Sequence, residues 1–130
     1  MSKDLLFDVY SKAKTKSVID DELINLIDSI FPNKVDKVLE VIKKGITKYN
    51  YKPSNRVIWV ALGKASEHLI YPKLYCSCQD FYKNVVVQRK RPFCKHLIAQ
   101  AICHGMNNFN ELDLEDEDFN TLVEDLNLKF

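Results

Sequence analysis

Three of the four cysteines in this 130-residue chain, and one of its three histidines, lie in two short groups. The first group is Cys76-Ser77-Cys78, and after a spacer of 15 residues the second is Cys94-Lys95-His96. Thiolate sulfur and imidazole nitrogen are preferred ligands of Zn²⁺, and a structural zinc site takes four of them with no open position. The two groups therefore predict one structural Zn²⁺ with the ligands Cys76, Cys78, Cys94 and His96.

The two halves of this site require different backbone elements. Side chains alternate along an extended strand, so Cys76 and Cys78 point to the same face and can reach one ion. Residues two apart on a helix point in nearly opposite directions, so Cys94 and His96 can share an ion only from a helix start. Pro92 precedes them and strong helix formers follow. We therefore predict Cys94 near the N-cap and His96 in the first helical turn.

The composition is typical of one compact globular domain, with 46% hydrophobic and 28% charged residues. The chain has no apolar run long enough for a membrane span and no signal-like start, so we expect an intracellular protein without a membrane partner. A reducing compartment favours zinc over a disulfide for clustered cysteines. We predict an α+β fold with a helical region at 1–53, a sheet with the zinc finger at 54–106 and an acidic tail at 107–130.

Apolar residues recur at helical spacing through the first third of the chain. A weak stripe over 5–13 predicts a short helix, and Asp20 can cap a stronger one that closes at Pro32. Another amphipathic stripe extends from Val35 to Ile46 and completes a helical hairpin. The apolar faces of this hairpin either form the core or remain exposed to dock a partner.

The hydrophobic period then changes to that of strands. The range 56–62 is rich in β-branched and aromatic residues and predicts a well-covered strand, with a second at 67–71. The pattern resumes at 74–76, which places the first ligand pair at the end of a small antiparallel sheet. Gly63-Lys64 and Ser66 lack the upstream glycine of a phosphate loop, so we reject a nucleotide site there.

The spacer between the ligand groups combines aromatic residues and three valines with a basic run, Arg89-Lys90-Arg91. Basic residues interleaved with aromatic ones can follow a phosphate backbone and stack on bases. Alternatively, the apolar residues pack around the metal and the cations are simply solvated. Both interpretations remain open, and the first makes Arg89, Lys90 and Arg91 candidate nucleic-acid contacts.

The tail has the opposite charge to the rest of the chain. Residues 111–130 hold eight acidic side chains and one basic one, net −7, whereas the other 110 residues hold 18 basic and 10 acidic ones, net +8. Apolar residues from Phe119 to Leu126 sit at helical spacing and predict a short acidic helix. This helix either packs on the domain or acts as a docking element.

Cys76-x-Cys78, the spacer and Cys94-x-His96-x-x-Ala99 resemble the SWIM-type zinc finger. The strand before the finger and the acidic tail extend the likeness to the small SWIM-domain subunits of the Shu complex, a family of homologous-recombination mediators. This resemblance implies that Ala99 is the small residue where the helix packs near the metal.

The resemblance also implies a non-catalytic interaction subunit. Such a subunit would pair with a RecA-fold recombinase paralogue and support recombinase assembly on single-stranded DNA, without a small-molecule substrate. Its location would be the nucleus in a eukaryote and the cytoplasm in a prokaryote.

Two other classes of function stay open. One is an autonomous nucleic-acid-binding zinc module, which would use the basic spacer. The other is a metalloenzyme or redox protein, which would need an open zinc position or a reactive Cys-x-Cys pair.

Overall fold

The computed structural model describes residues 5–62, 67–72, 75–90 and 93–118. Its helices and strands confirm the predicted α+β class. In chain order they are α1 Leu5–Lys16, α2 Asp21–Ile30, α3 Val35–Lys44, β1 Ile46–Lys52, β2 Arg56–Leu62, β3 Glu67–Tyr71, β4 Tyr75–Cys76, the spacer helix Phe81–Val87, α4 Lys95–Gly105 and β5 Asn110–Glu115.

The ends of α2 and α3 are set by local backbone chemistry. The carboxylate of Asp20 accepts a hydrogen bond from the N–H of Leu23 at 3.0 Å, which confirms the predicted cap. The helix predicted to reach Ile46 ends earlier, at Lys44. Gly45 follows with φ of 111°, a conformation that glycine adopts without steric cost, and Ile46 begins β1.

The five strands form one sheet in the order β4-β3-β2-β1-β5. The strands β4, β3, β2 and β1 are antiparallel neighbours, and this arrangement was predicted for β2, β3 and β4. Strand β5 pairs with β1 in parallel, with Thr47 opposite Asn110. The sheet is therefore mixed rather than wholly antiparallel, because the chain passes through α4 before it returns beside β1. Strands β1 and β5 were not predicted from the sequence.

The sheet buries residues on both faces. Trp59 and Ile70 belong to the main core, in which the sheet packs against the helices. Ile58 and Leu69 point the other way and form a second cluster with Tyr51. This alternation follows from the two-residue period of strands. It also explains why 56–62 is apolar at nearly every position.

The predicted hairpin, α2 and α3, contributes Leu23, Ile27, Val38 and Val41 to the main core. This favours the core-forming interpretation of its apolar faces.

The tail begins as a strand, β5, and the acidic helix predicted from Phe119 to Leu126 lies outside the described residues. Among the described residues, no helix combines the length and apolar character needed to cross a bilayer.

Helix α1 approaches α4 closely at Gly105. A Cβ atom added to Gly105 would lie 2.5 Å from the carbonyl oxygen of Tyr10 and 3.0 Å from Cβ of Ala13. The first distance is shorter than any tolerated contact, and backbone cannot yield as a flexible side chain can. The helix that carries His96 is thereby locked against the N-terminal helix.

We expect Gly105→Ala to lower the free energy of unfolding by about 1–3 kcal/mol, the usual effect of overpacking. Urea denaturation followed by circular dichroism measures this change. Unchanged stability would show that α1 is free to move away from α4.

Candidate metal centre

The structure brings together the four predicted ligands. One ligand atom from each of Cys76, Cys78, Cys94 and His96 lies within 4.8 Å of the others, and all four residues are buried. Sγ of Cys94 and Nδ1 of His96 are 3.9 Å apart. Tetrahedral zinc with ordinary bond lengths separates neighbouring ligand atoms by about 3.5–3.8 Å. The donor set and its dimensions therefore fit a zinc ion.

The first ligand pair is held by its pairing with β3. Cys76 ends β4, opposite Ile70. Between the two cysteines, Ser77 binds the backbone of Leu69 twice: its N–H donates to the carbonyl at 3.0 Å, and its hydroxyl accepts from the N–H at 2.9 Å. These bonds fix the backbone of Ser77, so the two flanking sulfurs are held on the same side.

The second pair sits at the start of α4, as predicted. Cys94 is the N-cap residue in an extended conformation, with φ of −100° and ψ of 171°, and Lys95 is the first helical residue. The side chain of Cys94 makes no capping hydrogen bond to the first turn of α4. His96 lies in the first turn, where its ring can turn towards the cysteines.

The side chains of Cys76 and Cys78 shift each other's pKa in opposite directions. A hydrogen bond from Cys76 lowers the pKa of the Cys78 thiol, and the same bond raises the pKa of Cys76. The backbone N–H of Phe81 also donates to Sγ of Cys78 at 3.3 Å. A buried thiolate needs such donors or a cation nearby, and zinc supplies the cation in sites of this composition.

A second histidine, His68, packs beside the cluster without belonging to it. The ring of His68 lies 4.6 Å from that of His96, centroid to centroid, and burial followed by the proximity of His96 lowers its pKa. Its contact with His96 was not predicted from the sequence. The available signal was its place in β3, because β3 pairs with the strand that carries Cys76.

The fourth cysteine, Cys103, is not part of the cluster. It is buried on α4, and burial raises the pKa of its thiol to about 12. A neutral buried thiol behaves as a small apolar side chain. Its position is that of a structural thiol rather than of a metal ligand.

The spacer helix has both a packed and an exposed side. Phe81 is buried, and the centroid of its ring lies 5.6 Å from that of Tyr75, as expected of a residue that packs near the metal. Val86 and Val87 are about half exposed, so the packing interpretation does not hold for these two valines. Arg89 and Lys90 are exposed, and Arg91 lies outside the described residues.

Comparison with known proteins identifies relatives with one name. The Zinc finger SWIM domain-containing protein 7 homolog of Dictyostelium discoideum is 29% identical over 123 residues, which cover 92% of this chain and 78% of that protein. The proteins named Zinc finger SWIM domain-containing protein 7 in Mus musculus and Homo sapiens are 24% and 23% identical over 125 residues. These matches cover 93% of this chain and 81% and 88% of the two proteins.

The chain is a homologue of these SWIM zinc finger proteins. The resemblance drawn from the ligand spacing is thereby confirmed. No family model and no solved structure matches the chain. The names of the relatives describe zinc fingers and indicate no catalytic activity.

The candidate zinc site of this chain is built from two elements. Cys76 and Cys78 come from a strand end, Cys94 and His96 come from a helix start, and Ala99 is fully buried in α4 one turn beyond the ligands. The relatives' names and the Cys₃His donor set together point to zinc.

Proposed function

We propose that this chain is a non-catalytic, zinc-stabilised interaction subunit that pairs with a RecA-fold recombinase paralogue and supports recombinase assembly on single-stranded DNA. One Zn²⁺ would be held by Cys76, Cys78, Cys94 and His96. On this proposal the subunit acts in the nucleus of a eukaryotic cell or in the cytoplasm of a prokaryotic one.

The observation that carries the proposal is the closed, buried ligand cluster. Four protein ligands complete a tetrahedral zinc site, so the ion would cross-link the sheet to α4 and offer no coordination position to a substrate. The chain would then act through binding surfaces whose structure depends on the metal site. The RecA-fold partner follows from the family resemblance.

Exposed apolar side chains on the spacer helix support a binding role. Tyr82 is 66% exposed, and Val86 and Val87 are 51% and 56% exposed. Contiguous apolar residues at a surface are typical of protein contacts. The segment is also placed next to the metal cluster by Phe81, so loss of zinc would disturb it.

Co-expression tests the proposal directly. The chain would be produced with each RecA-fold recombinase paralogue of its source organism and, as a control, with an unrelated RecA-fold ATPase. We expect one paralogue to co-purify in a fixed ratio, and Cys94→Ser to abolish the complex. If the zinc-loaded chain is purified without a bound paralogue in every one of these co-expressions, the proposal is wrong.

A second candidate function is an autonomous nucleic-acid-binding module. The spacer helix exposes Tyr82 for base stacking, and Lys83, Arg89 and Lys90 are exposed nearby in the sequence. Near the start of α4, a cavity of about 160 Å³ is lined by Phe31, Lys34, Lys37, Asp80 and Lys95. Its three lysines outnumber the single carboxylate, so the charge of the lining favours the binding of a phosphate group.

For this second function we expect the change of Arg89, Lys90 and Arg91 to glutamine to weaken binding of a single-stranded oligonucleotide. Each lost phosphate contact reduces the slope of log K against log salt by about 0.7, so three contacts remove about 2. Fluorescence anisotropy across a salt series measures the slope. The control variant has Lys14, Lys43 and Lys44 changed to glutamine. It loses the same amount of positive charge, but its slope should equal that of the unmodified chain. Absence of binding by the unmodified chain at low salt excludes this candidate.

A further inference from the structure

Helix α4 carries a buried polar side chain that the metal cluster does not explain. Among the described residues, the buried polar side chains are those of His96 and Gln100, at 5% and 2% exposure. His96 belongs to the ligand group. Nε2 of Gln100 is buried and has no hydrogen-bond partner among the described residues. Such an unpaired buried group is unfavourable and calls for an explanation.

Gln100 lines a cavity between α1 and α4. The volume of this cavity is about 270 Å³. Leu6, Phe7 and Tyr10 form its α1 wall, and Gln100, Ala101 and His104 form its α4 wall. Small-molecule sites usually begin at about 300 Å³ and offer several polar groups. This cavity is slightly smaller and mainly apolar, so one bulky side chain suits it better than a metabolite.

One lysine lies beside Tyr10, a residue of the α1 wall. Nζ of Lys14 lies 5.9 Å above the ring of Tyr10, and Lys14 forms no salt bridge within the described part of the chain. Burial, followed by the charges of Lys48 and Lys14, lowers the pKa of His104. A ligand that approaches here would gain from a negative charge near Lys14.

Phe7 extends the apolar surface beyond the cavity. Its side chain is 48% exposed, and its ring lies 6.2 Å from that of Tyr10. A cavity beside an exposed aromatic ring is the arrangement in which protein interfaces bury an anchoring side chain. A protein segment can cover both features at once.

We infer that this α1–α4 cavity receives one bulky apolar side chain from a segment of the partner protein. A backbone carbonyl of that segment accepts a hydrogen bond from Nε2 of Gln100, and an acidic residue beside the anchor pairs with Lys14. The inference rests on the proposed function, because it assigns a docking site to the same recombinase-paralogue partner.

The test uses two variants of the full zinc-loaded chain and the co-purifying paralogue, with affinity measured by titration calorimetry. Gln100→Leu removes the donor, so we expect the paralogue to bind at least about 10-fold more weakly. The same change relieves an unpaired polar group, so the thermal midpoint of the isolated chain should rise. Ala101→Phe fills the cavity and should weaken binding as strongly. Asn25→Leu, a comparable change of an amide to leucine at an exposed position of α2, should leave binding unaltered.

Opposite effects on stability and affinity would distinguish a docking residue from a merely structural one. If folded Gln100→Leu and Ala101→Phe bind the paralogue as tightly as the unmodified chain, the cavity assignment is wrong and the proposed function stands. If Ala101→Phe does not fold, Gln100→Leu decides. If the unmodified chain binds no paralogue, both the inference and the proposed function are wrong.

Discussion

Cys94→Ser is expected to destabilise the chain by several kcal/mol and to abolish stoichiometric zinc binding. Cys94 is fully buried, and it joins the start of α4 to the two cysteines at the end of the sheet. Structural zinc contributes roughly 10–16 kcal/mol in zinc-finger peptides, because the unfolded chain has no preformed site. A serine hydroxyl is a poor substitute for a thiolate, so much of this contribution would be lost.

Urea denaturation with parallel zinc analysis measures both effects. Cys103→Ala provides the matched control, because it removes a buried thiol of the same helix that lies outside the ligand group. This control should keep its full zinc content. If Cys94→Ser retains normal stability and one zinc per chain, the ligand set is wrong.

Trp59→Ala is expected to lower the free energy of unfolding by about 3–5 kcal/mol, the usual effect of truncating a buried aromatic residue. Trp59 is 3% exposed, and its ring lies 4.9 Å from Phe109 and 5.1 Å from His104. It therefore joins β2 to the end of α4 and to the segment that leads into β5. Removing it would leave a void between these three parts.

Trp59→Phe should cost less, since a smaller ring remains in the same place. Val57→Ala is the matched control, because Val57 lies on the same face of β2 and is 40% exposed. Its loss should change stability by less than about 1 kcal/mol. A Trp59→Ala variant as stable as Val57→Ala would show that the contact with α4 does not contribute to the fold.

The metal cluster could be predicted from sequence because its chemistry is local. Each ligand pair lies within three residues, and the strand and helix geometries decide which side chains converge. Cys94 at the N-cap and Cys76 at the end of β4 are where these rules place them. The relatives found by comparison confirm the resemblance that this spacing predicted.

The two missed strands had weaker signals. Ile46 continues the apolar stripe of α3 at a four-residue interval, so periodicity alone extends the helix past Gly45. The glycine itself was the stronger sign of a helix end. Tyr49 and Tyr51 alternate as strand residues do, but most residues of β1 are only partly buried, so its apolar pattern is weak. The parallel pairing of β5 depends on contacts about 60 residues apart, for which no local pattern exists.

Gln100 and His68 acquire their roles only in the folded chain. Gln100 occurs within a helix that is buried at nearly every position, so no amphipathic pattern marks it as exposed or enclosed. His68 approaches His96 through the pairing of β3 with β4 and the docking of α4. Such juxtapositions arise from tertiary packing, which single-sequence patterns do not contain.

X-ray absorption at the zinc edge of the purified chain tests the central claim most directly. The account predicts one zinc per chain with three sulfur ligands and one nitrogen ligand, at about 2.3 Å and 2.0–2.1 Å. A spectrum with fewer than three sulfurs, or with a water oxygen in the first shell, would contradict a closed structural site and reopen the metalloenzyme hypothesis.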